Sequence, residues 1–295
     1  SGSPDSGHYG GSPAHLAQLA EDLSLYLLLA GLRIFYGGTI THGGTSPGDA
    51  LNYATRLFDL VYTYAPLAKE LEAERFHPIV NMVPWPIHLG FGPDQYDLYG
   101  REAELVPMPR PAALTLSDAQ LQPQPSGFVP PASAEQRFAW TLALTEMRRE
   151  QCKHTCARVV LGGKIAGSKS RYPGVLEEAL ESLRAEHPTF LLGTFGGAAR
   201  LAIDALEGRT RPELTTGWFQ ANDKHWDDLV RLYGEHGIEL SSPEELATEL
   251  AEKGAAGPAA ALRNGLSDAE NRELFACSDP GRSVALILRG LRAQA

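Results

Sequence analysis

Three glycine pairs stand directly after apolar runs: Gly37-Gly38 after LRIFY, Gly162-Gly163 after ARVVL, and Gly196-Gly197 closing TFLLGTF. Glycine lets backbone amides approach a ligand with no Cβ in the way. A helix that starts at once adds unpaired amides and a partial positive charge, which together favour an anion such as phosphate. Cations stand nearby. Lys164, Lys169 and Arg171 follow the second pair, and Arg200 lies one turn past the third. A cation at a helix N-terminus opposes the helix dipole, and a bound anion removes that penalty. One such turn serves chain reversal as readily as binding; three at corresponding places favour a bound anion. No G-x-G-x-x-G and no G-x-x-x-x-G-K-[ST] is present, which argues against a standard dinucleotide or Walker-type site.

Other residues offer other chemistry. Glu177 and Glu178 open a helix in RYPGVLEEAL. They serve either as dipole partners or as the carboxylates that glycoside-type hydrolysis needs. His42, between two glycine pairs, and Gly43 lie in a loop after a strand and can touch a ligand or solvent. Trp85 in VPWP can stack on a base or pack. Asn264 in RNGL suits a turn. Cys152, His154 and Cys156 lie on one helix, but His154 faces away from the two cysteines, so no metal site is expected. No cofactor is implied, and no hydrolase triad is visible.

The elements that hold these residues alternate helix and strand, an α/β signature. Ser12-Pro13 starts a helix that Gly31 stops. Strands are expected at Leu32–Gly38, near Ile79, at Ala157–Gly163 and through Thr189–Gly197. Further helices begin at Ser46, at the Ser133/Gln136 capping box and after Gly174. Residues 90–131 read as an irregular connection with a short helix after Ser117. ANDKHWDDLVRLYGEHG reads as one helix, and Ser242/Glu245 and Ser267/Glu270 cap two more. SVALILRGL fits strand or helix. In a parallel sheet the loops after strands share one edge, so the glycine turns are expected to converge there. Leu32–Gly38 and Ala157–Gly163 repeat one layout, which suggests two related halves. The expected division is 1–115, a linker at 116–132, a second half at 133–240, and a helical segment at 241–295.

The formal net charge of −10 disfavours nucleic acid and anionic membrane as partners. The three cysteines suggest no disulfide framework, and the cytoplasm is the expected compartment. LSLYLLLAGL is too short to span a bilayer, and AEDL before it does not suit a signal peptide.

SGSPD, IFYGG, VLGGKIAG, RYPGVLEEAL, LLGTFGGAARLAIDAL, LRNGLSDAENRELF and VALILRGL together resemble the SLOG superfamily, and most closely the double-SLOG sensor units of bacterial antiphage and conflict systems. The resemblance implies a Rossmann-like fold, with mostly parallel sheets flanked by helices and two SLOG-like halves. It also implies a nucleotide-derived ligand such as ADP-ribose, a cyclic isomer of it or a cyclic nucleotide, a homo-oligomer, and a fused or associated effector such as a TIR domain. Ligand contacts are then implied for Ser1, Gly2, Ser3, Gly37, Gly38, Thr39, Gly162, Gly163, Lys164, Arg171, Thr194, Phe195, Gly196 and Gly197. The superfamily's phosphoribohydrolases carry P-G-G-x-G-T-x-x-E. Here Ala198 and Ala199 follow the glycines, and no Glu stands in place. That departure favours binding without turnover; the alternative is a nucleotide N-glycosidase using Glu177 or Glu178.

Overall fold

The computed structural model describes residues 13–37, 60, 77–93 and 103–294. Helix α1 (Pro13–Leu29) begins at the expected proline. Gly31 ends it at φ +78°, with Gly31 N–H donating to Leu28 O at 2.9 Å and Leu32 N–H to Leu27 O at 3.0 Å. These two bonds satisfy last-turn carbonyls and turn the chain into a strand.

Strands β1 (Ile34–Gly37), β2 (Ile79–Val83) and β3 (Ala103–Pro107) form a parallel sheet in that order. Strands β4 (Arg158–Leu161) and β5 (Thr189–Leu192) form a parallel pair. β3 corrects the reading of residues 90–131 as irregular. AELVP shows no clean alternation, because β3 is an edge strand with only Ala103 buried. Its place is set by backbone pairing with β2, which side-chain pattern does not report. The expected helix after Ser117 is α2 (Asp118–Leu121). Leu116, Leu121 and Val129, within the stretch read as a linker, pack in a core with Phe138, Leu229 and Tyr233.

Helix α3 (Ala134–His154) starts at the Ser133/Gln136 box. It covers one face of the first sheet, where Met147 and Leu144 meet Phe35, Val80 and Met82; α1 meets the other face through Leu28 against Ile34 and Ile79. Helices α4 (Gly174–Arg184) and α5 (Gly197–Leu206) follow β4 and β5. The helix expected over residues 221–237 is two, α6 (Thr216–Asn222) and α7 (Trp226–Glu235). Asp223 breaks it: its backbone is extended, and its carboxylate accepts the His225 amide and pairs with Arg137 at 3.1 Å. Short Asp side chains compete with helical bonding in this way.

The C-terminal helices are α8 (Pro243–Gly254), α9 (Pro258–Leu262), α10 (Asp268–Ala276) and α11 (Pro280–Arg292). SVALILRGL is therefore helix. Its buried Ser283, Val284, Leu286, Ile287 and Gly290 follow helical spacing. Val284, Leu286 and Ile287 pack with Leu16, Leu19 and Leu23 of α1 and with Phe190 and Leu192 of β5. No described helix is long and apolar enough to cross a membrane.

Candidate functional site

The expected convergence of glycine turns holds for the two that the described residues contain whole. β4 and β5 are neighbours, and their corners pack backbone against backbone. Gly162, Gly163, Gly196 and Gly197 all have positive φ, at +58°, +93°, +65° and +64°. A Cβ on Gly197 would collide with the Gly163 carbonyl oxygen, and one on Gly163 would lie 2.6 Å from Val175 Cβ. The amides at the start of α5 are spent inside this contact. Ala198 N–H donates to Gly163 O at 2.9 Å, and Ala199 N–H to Gly162 O at 2.8 Å. The expected anion grip by these helix-end amides is thus replaced by a corner-to-corner bond. All four glycines are buried, as is Phe195, while Thr194 is half-buried and donates its hydroxyl to Cys277 O at 2.5 Å. Lys164 and Lys169 are exposed on the loop that leaves the β4 corner.

Lys169 lies over the Trp140 ring, its Nζ 5.2 Å from the centroid, and the arginines near the corners form ion pairs. Arg171 is buried and bonds Glu177 Oε1 through Nε at 2.8 Å and Glu181 through Nη2. Glu177 is fully buried; it also accepts from Arg148 Nη1 at 2.7 Å and from the Thr145 hydroxyl. Burial opposes the charge on Arg171, but Glu177 and Glu181 outweigh it and raise its pKa. Arg200 lies 2.9 Å from Asp204 Oδ1.

A cavity of about 590 Å³ separates β1 from β4. One wall is apolar, built by Ala20, Leu23 and Leu27 of α1 and Leu291 of α11; the opposite wall is polar, with Gln151, Arg158 and Glu178. Gly37 lines it as well, and a Cβ there would lie 2.6 Å from Met147 Cε. Glu178 sits 3.6 Å from Arg158 Nη1 and 3.8 Å from Arg148 Nε. Burial, and then the charge of Glu178, push the Tyr36 hydroxyl up to about 12. Gln151 Nε2, Arg158 Nε and Arg148 Nε are buried with no hydrogen-bond partner among the described residues.

The family model described as SLOG cluster2 matches residues 1–274. The chain belongs to the SLOG cluster2 family. No curated protein and no solved structure matches it. Membership agrees with the parallel α/β architecture and ties the chain's function to nucleotide ligands.

In this SLOG chain the candidate residues fall into distinct places. Gly37 and Glu178 line the cavity, the glycine corners adjoin each other, and Glu177 and Arg171 belong to a buried ion network. Ser1, Gly2, Ser3, Gly38, Thr39, His42 and Gly43 lie outside the described residues. Trp85 is buried and packs with Leu114, Leu116 and Leu142. Asn264 is fully buried, and its amide donates to Thr189 O and Asn271 Oδ1, both at 2.8 Å, so its role is structural. His154 lies 3.0 Å from Glu150 and stacks on Phe35, and no described group of His, Cys, Asp or Glu is placed to hold a metal. Tyr36, Gln151 and Arg158 were not singled out from the sequence. No local signal in IFYG or RVVL marks them, because the cavity they line lies between strands far apart in the chain.

His187 carries a pH dependence. It is buried, with Nε2 3.0 Å from Thr155 Oγ1. Burial first, and then nearby Arg158, hold its pKa below 6.5. The folded state therefore favours the neutral ring. Its contribution to stability is complete above the unfolded pKa of ~6.5 and is lost as pH falls through the lower folded value. Urea melts from pH 7.5 to 5 are expected to lose stability, and His187→Gln to flatten that slope; equal slopes in both proteins refute the assignment.

Proposed function

We propose that this SLOG-family chain is a sensor. It binds a nucleotide-derived signal of ADP-ribose or cyclic-nucleotide type through its phosphates, and does not turn it over. The observation that carries this reading is the pair of exposed cations, Lys164 and Lys169, on the loop that leaves the β4 corner of this SLOG-family chain. Gly37 ends β1 at the mouth of the adjoining cavity. The burial of Glu177 against Arg148 and Arg171 supports binding without catalysis by that carboxylate. Through such binding the ligand favours one state of the chain or its oligomer and so controls an attached effector. It does this only through unequal affinity for the two states.

Calorimetric titration with ADP-ribose isomers, NAD and cyclic oligonucleotides tests the reading. At least one is expected to bind, and Lys164→Ala to weaken that binding roughly 10–100-fold, the worth of one charge-assisted hydrogen bond. Because Lys164 is exposed, its melting temperature should not move. No binding across the panel, or undiminished binding by the variant, refutes the proposal. A second reading has one observation in its favour: Glu178 stands in the cavity wall, one-fifth exposed, close enough to Tyr36 to raise its pKa. Release of free base from a nucleoside monophosphate, lost in Glu178→Gln, marks an N-glycosidase instead.

A further inference from the structure

We propose that Arg137 and Asp223 form a clamp that sets Lys169 in place for the ligand, which makes Arg137 a positioning residue of the phosphate site. This rests on the reading that the loop after β4 holds the ligand's phosphates.

The loop, residues 164–173, contains neither helix nor strand. A lysine on such a segment loses much rotamer and backbone freedom when a ligand orders it. Contacts that order it beforehand remove that cost and strengthen binding.

Lys169 is held in this way from both sides. Arg137 lies near the start of α3 and is 4% exposed. Its Nη2 donates to Ser168 O and, at 3.3 Å, to Ser170 O, the carbonyls of the two residues that flank Lys169. The Ser168 hydroxyl accepts the Ser170 amide at 3.2 Å, which closes a tight turn around Lys169. Trp140 follows Arg137 by three residues on α3 and so shares its face. Its ring lies under the Lys169 ammonium. One face of α3 thus sets both the backbone and the side chain of Lys169. Arg137 is buried and Lys169 is exposed, so Lys169 is the group that reaches the ligand.

Asp223 completes the clamp. Burial lowers the pKa of Arg137, and the Asp223 carboxylate is the first group to offset it. A buried guanidinium needs such a partner. Asp223 Oδ2 lies 3.1 Å from Arg137 Nη2, while Oδ1 accepts the His225 amide at 3.0 Å. One carboxylate therefore fixes the break between α6 and α7 and also the arginine that holds the loop.

The test uses the full chain with Arg137→Gln, Asp223→Asn and Lys169→Ala. With no nucleotide present, amide exchange is followed over 164–171. Amines are acylated briefly with acetic anhydride and read by peptide mass. Arg137→Gln is expected to speed exchange of the loop amides ~10-fold or more. Acylation of Lys169 is expected to rise roughly 2–5-fold, the worth of one exposed cation–π contact, while Lys164 keeps its rate. Asp223→Asn keeps an acceptor for the His225 amide, and its side chain is 23% exposed, so the fold survives the change. It is expected to act in the same direction, and it decides the matter if Arg137→Gln does not fold. Unchanged loop exchange and Lys169 labelling in Asp223→Asn overturn the clamp. A general loosening, with β4 and β5 amides and Lys164 rising equally, assigns Arg137 to the core alone and overturns it as well.

Titration with ADP-ribose then separates positioning from packing. Arg137→Gln is expected to weaken binding ~10-fold in the parent chain but not in the Lys169→Ala background. Equal weakening in both backgrounds overturns the positioning role. Absence of ADP-ribose binding by the parent counts against the sensor reading, whereas the loop measurements, made without nucleotide, still decide the clamp.

Discussion

Glu177→Ala is expected to destabilise the protein by about 3–5 kcal/mol, the cost of removing one member of a buried ion cluster. Glu177 is the hub that neutralises Arg148 and Arg171, whose side chains are only 5% and 6% exposed. Without it Arg148 keeps only Glu178, at 3.8 Å, and Arg171 keeps Glu181. Thr145 loses one of its two acceptors and keeps Thr141 O, at 2.9 Å. Glu177→Gln retains oxygen and shape but not charge, and is expected to fall between the two. Urea denaturation measures the effect as a shift in midpoint. A loss under about 1 kcal/mol, with any base-releasing activity abolished, would return Glu177 to the role of catalyst.

The second large effect is expected at the glycine corner. Gly197→Ala forces a Cβ onto a residue at φ +64° and into the Gly163 carbonyl, with the Gly162 carbonyl carbon at 3.0 Å. Backbone strain and overpacking together are expected to cost about 2–5 kcal/mol. Gly208→Ala is the control. Its φ is +71°, yet nothing lies within 4 Å of a Cβ there, so it bears strain alone, about 1 kcal/mol. Thermal melts of the two variants separate the causes. Equal losses would mean that the corners do not press on each other.

Much of the fold could be read from residues close together in the chain. Ser133/Gln136, Ser242/Glu245 and Ser267/Glu270 each form a capping box, and Gly31 ends α1 where it should. The adjacency of the β4 and β5 corners followed from the rule that parallel strands share an edge. What those corners do with their amides did not follow, because the acceptors for Ala198 and Ala199 lie on a loop some 35 residues away in sequence. Arg171 read as available for the same reason: its partner Glu177 was itself weighed as a helix-dipole residue or a catalyst, and only packing shows that each neutralises the other. β3 and the break at Asp223 were hidden by side chains that carry no periodic signal. The cavity lay beyond reach altogether, since it is a relation between two strands that do not touch.

The first and last described helices share one hydrophobic core: α11 lies on α1, and Leu291 closes the same wall as Leu23 and Leu27. The rod formed by α11 thus borders the opening between the sheets. Parting it from α1 would uncover Leu16, Leu19, Val284 and Ile287 together, so the two helices hold as one piece.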